Sequence, residues 1–190
     1  MKRWGILFAY ATLGTAPLLA FGGAFEDGIA ALKNNDNATA AKHFHEAAQS
    51  ANSDAQYNLG FLYANGLGVA KDDDTAVRWY RMAAEQGHAG AQSNLAYMIG
   101  AGRGAKLDDA EAVSWYQKAA EQGEPSAQVS LGMRHLTGRG VPQDQAKAVY
   151  WLQLAGVQGH PVAKQVLRDL FGKANNQMAP NEPTGMSGMR

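Results

Sequence analysis

Three tryptophans, Trp79, Trp115 and Trp151, stand 36 residues apart, and the rest of the chain keeps that step. In the same register run Ala55, Ala91 and Ala127, then Gln56, Gln92 and Gln128, then Leu59, Leu95 and Leu131. The paired glycines Gly66/Gly68, Gly102/Gly104 and Gly138/Gly140 follow it, as do Asp72, Asp108 and Asp144 and the later glycines Gly87, Gly123 and Gly159. A fixed period of this length restricts the chain to a repeat architecture, in which one unit cannot bury its own apolar face and must stack on its neighbours. The core then lies between units, and a single elongated domain is expected.

Each unit reads as two helices. From Asp54 to Asn65 the residues Ala55, Leu59, Leu62 and Tyr63 fall at helical spacing, and Gly66 ends the run. This is helix A. Beyond the glycine pair, Asp72 or an acidic neighbour caps a second run in which Ala76, Trp79, Tyr80, Ala83 and Ala84 share a face. This is helix B, and in the second copy Glu111 follows Asp108 at capping-box spacing while Gly123 closes the end. The alanines let backbones approach while Trp and Leu from adjoining copies fill the space between them.

The full copies span 54–89, 90–125 and 126–161. A degenerate N-terminal capping repeat is expected over 25–53, where Ala40, Ala47 and Ala48 precede Ala76, Ala83 and Ala84 by one period, and a C-terminal capping helix over 162–171. Residues 172–190, rich in Asn, Pro, Gly and Met without apolar period, are expected to form a disordered tail. At the other end Lys2 and Arg3 precede an uncharged stretch from Trp4 to Phe21 and the small residues Gly22-Gly23-Ala24. Residues 1–24 therefore read as a signal peptide, the alternative being an uncleaved inner-membrane anchor. Removing it takes the formal charge from 0 to −2, since Lys2 and Arg3 leave with it. That balance lacks the basic footprint of a nucleic-acid binder, and no membrane span is expected after cleavage. The chain has no cysteine, so an exported protein of this kind rests on packing for its stability.

Ala127-Gln128-Val129-Ser130-Leu131-Gly132, Gly138-Arg139-Gly140-Val141-Pro142-Gln143-Asp144, and the run from Ala76 to His88 resemble the Sel-one-like repeat, a relative of the tetratricopeptide repeat. The resemblance covers Asp54 to Phe171 fully and Phe25 to Ser53 weakly. It implies an all-α fold, a right-handed α/α superhelical solenoid of Sel-one-like, tetratricopeptide-like helix pairs, and a role as adaptor or scaffold, often periplasmic or surface-linked. One exported branch is associated with β-lactamase or penicillin-binding activity, but its repeats carry paired cysteines, which this chain lacks. Ala96, Ala105 and Leu152 are further departures, at the helix A glycine, the loop valine and the helix B tyrosine.

The chain contains no S-x-x-K, G-x-S-x-G, H-E-x-x-H or G-x-x-x-x-G-K, so no catalytic residue is assigned. The G-x-G pairs lack the third glycine of a nucleotide loop and read as loop punctuation. His43 and His45 point to different sides of a helix, so no metal and no cofactor are expected. His88 and His160 sit just past helix B, which suggests a helix-end role, while His135 takes a helix A packing position.

The partner expected is another protein or a peptide segment. By analogy with related superhelices helix A lines the concave face, and its outward positions are Tyr57, Phe61 and Asn65, then Ser93 and Tyr97, then Val129 and Met133, with Asn58 and Asn94 beside them. Aromatic and Met-lined surfaces receive apolar anchors. Two readings stay open for this stripe, an exposed groove or packing onto the next helix. The alternatives to an adaptor are a β-lactamase-like or cell-wall-acting enzyme and a structural subunit of an envelope assembly.

Overall fold

The computed structural model describes residues 20–177 in backbone and residues 23–172 in side chains. The expected signal segment up to residue 19, and residues 178–190 of the expected tail, lie outside the described residues. Nine α-helices are present among the described residues: α1 (Ala20–Lys33), α2 (Asn37–Gln49), α3 (Ser53–Asn65), α4 (Asp73–Glu85), α5 (Ala89–Ala101), α6 (Asp109–Glu121), α7 (Pro125–Thr137), α8 (Gln145–Val157) and α9 (Pro161–Gln177). Each packs on the next along the chain, giving an all-α solenoid in which odd-numbered helices are A and even-numbered helices are B.

The helix ends follow from capping chemistry. Asp72, Asp108 and Asp144 each accept a hydrogen bond from the backbone N–H three residues on, at 2.9, 2.8 and 2.9 Å. At the start of helix A the cap varies: Asn52 opens α3 and His88 opens α5, its Nδ1 accepting from the Ala91 N–H at 3.0 Å. His88 thus has the helix-end role that its repetition suggests. Its Nε2 reaches Asp54 at 3.2 Å and its ring stacks on Tyr57, so the cap also ties two repeats together.

Packing explains most of the shared residues. The alanines at helix B positions 76, 83 and 84, and at 112, 119 and 120, are fully or almost fully buried where helices cross closely. In the first full copy the Tyr80 ring lies on the backbone at Gly60, where an added Cβ would meet it at 2.8 Å. Leu152 does the same on Gly132.

Two boundaries differ from expectation. α1 begins at Ala20, ahead of Phe25, and Ala24 is buried in the first core cluster with Phe44 and Leu59. α9 runs to Gln177, beyond the boundary at 171, because Lys173 to Gln177 contains neither Pro nor Gly and Gly172 alone costs a helix only about 1 kcal/mol.

Two non-glycine residues of the degenerate first unit have positive φ, Asn35 and Ala51, and the alanine is the strained one, since asparagine tolerates that region. Ala51 occupies the place held by Gly87, Gly123 and Gly159 and sits at φ 58, where an L side chain crowds its own carbonyl. Ala51→Gly is expected to raise stability by about 0.5 to 1 kcal/mol, the relief of that crowding less the entropy glycine adds to the unfolded chain. Chemical denaturation checks it, and an unchanged or lower midpoint would show that Ala51 is at ease there.

Candidate functional site

Among the described residues two clefts open on the helix A side, and they are the same cleft one repeat apart. The first, about 150 Å³, is lined by Phe61, Ala64 and Asn65 of α3, Tyr80 of α4, Asn94, Tyr97 and Met98 of α5, and Arg103 from the following loop. The second, about 220 Å³, is lined by Tyr97, Gly100 and Ala101 of α5, Leu107, Tyr116 of α6, Arg134 of α7 and Arg139. Phe61 maps onto Tyr97, Ala64 onto Gly100, Asn65 onto Ala101, Tyr80 onto Tyr116, Met98 onto Arg134 and Arg103 onto Arg139 at the repeat step. Tyr97 walls both.

The rims carry aromatic side chains open to solvent. Phe61, Tyr97 and Met133 are 43, 54 and 38% exposed, whereas the other positions of the stripe in the first turns of helix A are covered. Of the residues expected to face a partner, Phe61, Asn65, Asn94 and Tyr97 meet in the first cleft, and Met133 continues the row on α7 without lining either cleft.

Four expectations need correction. Ser93 and Val129 are buried, each 8% exposed, and Tyr57 is half-buried against Tyr80 and His88. All three stand two residues before the register leucine, in the first turns of helix A; Tyr57 is covered by the cap of the next helix A, and Val129 packs with Leu152 and Ala155. Asn58 returns its amide to the Asp54 carbonyl of its own helix at 2.8 Å and lines neither cleft. Asn94 is in the cleft as part of its wall, beside Tyr80 and Tyr97. Burial pushes the phenols of Tyr57 and Tyr80 above their ordinary range, Asn94 pulling the other way, so both stay protonated donors at neutral pH.

The arginines were not singled out in the sequence, and they organise the clefts. Arg103 makes a bidentate pair with Asp73 of the preceding repeat, at 2.7 and 3.1 Å. Arg139 reaches Asp109 at 2.8 Å and donates to the Gly100 carbonyl at 2.7 Å. Arg134 joins it on the same Asp109 oxygen at 2.9 Å, so two guanidinium groups share one carboxylate. Arg134 first, then Arg139, holds the Asp109 carboxyl below the usual carboxylate range. The signal that finds Arg134 is its register: Leu62 and Met98 hold that place in the earlier copies, both in the core.

A third cavity, about 370 Å³, lies among α6, α7 and α8 and is lined by Val113, Gln117, His135, Val141, Lys147, Tyr150 and Trp151. His135 is buried there, as its packing position suggests. No cluster of metal-ligating side chains occurs among the described residues.

The family model described as Sel1 repeat matches residues 19–52, 53–88, 89–124 and 125–160. The chain belongs to the Sel1 repeat family. The matched Sel1 units begin one residue before the boundaries at 54, 90 and 126, and the first unit, which lacks the glycine-pair loop, is matched as a repeat in its own right. Among solved structures, a protective antigen of uropathogenic Escherichia coli with this fold is 35% identical over 81% of the chain, TM-score 0.77. A Sel1 repeat protein from Oxalobacter formigenes is 30% identical over 81% of the chain, TM-score 0.75. The chain spans 34% of the first and 64% of the second. The cysteine rich protein B of Helicobacter pylori, 18% identical, shares the fold over 70% of the chain and 96% of its own length, TM-score 0.55. No curated protein matches significantly. Sel1 repeat proteins are generally protein-interaction scaffolds.

Proposed function

We propose that this Sel1 solenoid is a non-enzymatic adaptor of the bacterial cell envelope that docks a segment of another protein along its helix A side. The observation that carries the reading is the pair of register-related clefts, whose rims expose Phe61 and Tyr97 to solvent. Aromatic side chains exposed beside concave surfaces are the residue types that anchor interfaces. The clefts repeat while their linings differ, Met98 against Arg134 and Asn65 against Ala101, which gives successive positions of a bound segment different pockets.

Export is supported by the basic start and apolar stretch of the sequence, and no helix among the described residues is long and apolar enough to cross a membrane. The test is capture of partners by the full chain from separated envelope and cytosolic fractions, with the Phe61→Ala/Tyr97→Ala variant beside it. Both side chains are exposed, so the variant is expected to fold. Losing two aromatic anchors is expected to weaken capture of an envelope partner at least about thirtyfold, on the order of 2 kcal/mol. Equal capture by the variant would move the binding face elsewhere, and partners found only in the cytosolic fraction would remove the envelope reading.

A further inference from the structure

The two clefts are built on one plan but differ in charge. In the first, the residue at the base is Met98, and the one cation, Arg103, is answered by both oxygens of Asp73. In the second, Arg134 replaces that methionine at a core position and is 9% exposed, with its guanidinium 5.4 Å from the centre of the Tyr116 ring. Its guanidinium lies in the space that a side chain at Gly100 would take, the place held by Ala64 in the first cleft. The lining of this cleft holds two guanidinium groups and no carboxylate, and the single Asp109 behind them is bonded to both.

One carboxylate answers two cations, of which Arg134 is nearly buried and Arg139 is half open to solvent, so the cleft keeps a surplus positive charge on its open side. The tyrosine floor supplies a phenol, and the guanidinium forks supply N–H donors in the planar arrangement that suits a carboxylate. We propose that the second cleft, where Arg134 and Arg139 share Asp109, receives the carboxylate side chain of an Asp or Glu in the segment docked on the helix A side. The proposal rests on the docking reading above and names the chemistry of its partner. An internal side chain is assigned in preference to a chain end because the exposed row continues on both sides of the cleft, with Phe61 before Tyr97 and Met133 after it.

The experiment selects binders to the full chain from a random library of short peptides acetylated and amidated at their ends. A parallel library has free C-termini. Arg134→Met restores the side chain of the preceding repeat and is expected to fold; Arg139→Leu, which restores Leu67 of the first full copy, is the second variant should the first unfold. The wild type is expected to enrich an acidic residue at a fixed distance from an aromatic or aliphatic one, and Arg134→Met to bind those peptides about tenfold or more weakly, as loss of a nearly buried charge partner requires, with a smaller loss for Arg139→Leu, whose side chain is half exposed. Selection of apolar peptides with no acidic preference overturns this assignment and leaves the docking reading standing. Enrichment only from the library with free C-termini overturns it too, since the occupant is then a chain end. If no peptide is selected, the docking reading itself fails.

Discussion

Gly104→Ala is expected to lower stability by about 2 to 5 kcal/mol, a large effect for one methyl group in a loop. Gly104 sits at φ +63, and its missing Cβ faces the carbonyl of Asp73 and the N–H of Asp74, the first residues of α4 in the preceding repeat. Backbone at a helix start cannot rotate aside as a side-chain tip can. Either the loop or the helix must shift, and the Arg103 to Asp73 pair beside it shifts with them. The left-handed backbone contributes about 1 to 2 kcal/mol and the overpacking a further 1 to 3. Gly102→Ala is the control: its φ is +65, but the nearest atom to an added Cβ is Leu107 Cβ at 3.4 Å, so only the backbone contribution of about 1 to 2 kcal/mol is expected. Denaturant unfolding of the two variants separates the effects. Equal losses would show that the inter-repeat contact contributes nothing.

That contrast marks how far the sequence could be read. The G-x-G pairs were legible as loop punctuation, because glycine after a helical run signals a left-handed cap. Their second role was not. The first glycine of each pair closes its own helix, while the second makes room for the neighbouring repeat, and the difference lies in a distance between residues about thirty apart in sequence. The arginine between the glycines stayed hidden for the same reason: Arg103 and Asp73 look like unrelated loop and capping residues until the repeats are stacked.

The helices themselves were legible nearly to the residue wherever a polar cap opens and a glycine closes them, as at Asp108 and Gly123. They were less so at the chain ends. α1 begins at Ala20, inside the stretch read as a signal peptide, and α9 has no stop signal before Gln177. In the candidate site, Phe61 and Tyr97 were named by analogy with related superhelices, at an angle of about 200° from the buried leucine, and both are exposed. Tyr57, Ser93 and Val129 share that angle within about 40°, yet the first turns of helix A are where the neighbouring helices close over the surface. Angle alone does not encode what covers a helix. Arg134 is the converse case, a charge in a core register whose meaning depends on Gly100 and Asp109 being brought beneath it.

Gln92→Ala is expected to cost about 3 to 4 kcal/mol, because this one side chain links three helices. Its Nε2 donates to the Ala84 carbonyl at the end of α4, at 3.0 Å, and its Oε1 accepts from Gln122 at the end of α6, at 2.7 Å. The same pattern occurs at Gln56, between Ala48 and Gln86, and at Gln128, between Ala120 and Gln158, so a ladder of amides runs the length of the solenoid. Each hydrogen bond contributes about 1 kcal/mol net, and truncation adds a cavity where Gln92 is now buried, leaving a carbonyl lone pair without a partner. Gln122→Ala removes only the exposed end of the link and is expected to cost less than about 1 kcal/mol, since water replaces it. The ladder also bears on docking. It fixes how far α5 turns relative to α4, and the first cleft is walled by α3, α4 and α5 together. Hydrogen exchange of the Gln92→Ala variant is therefore expected to rise first in the last turn of α4 and the first turn of α5. Protection unchanged at that seam, with stability lowered everywhere alike, would show that the glutamine fills space and does not set the angle between repeats.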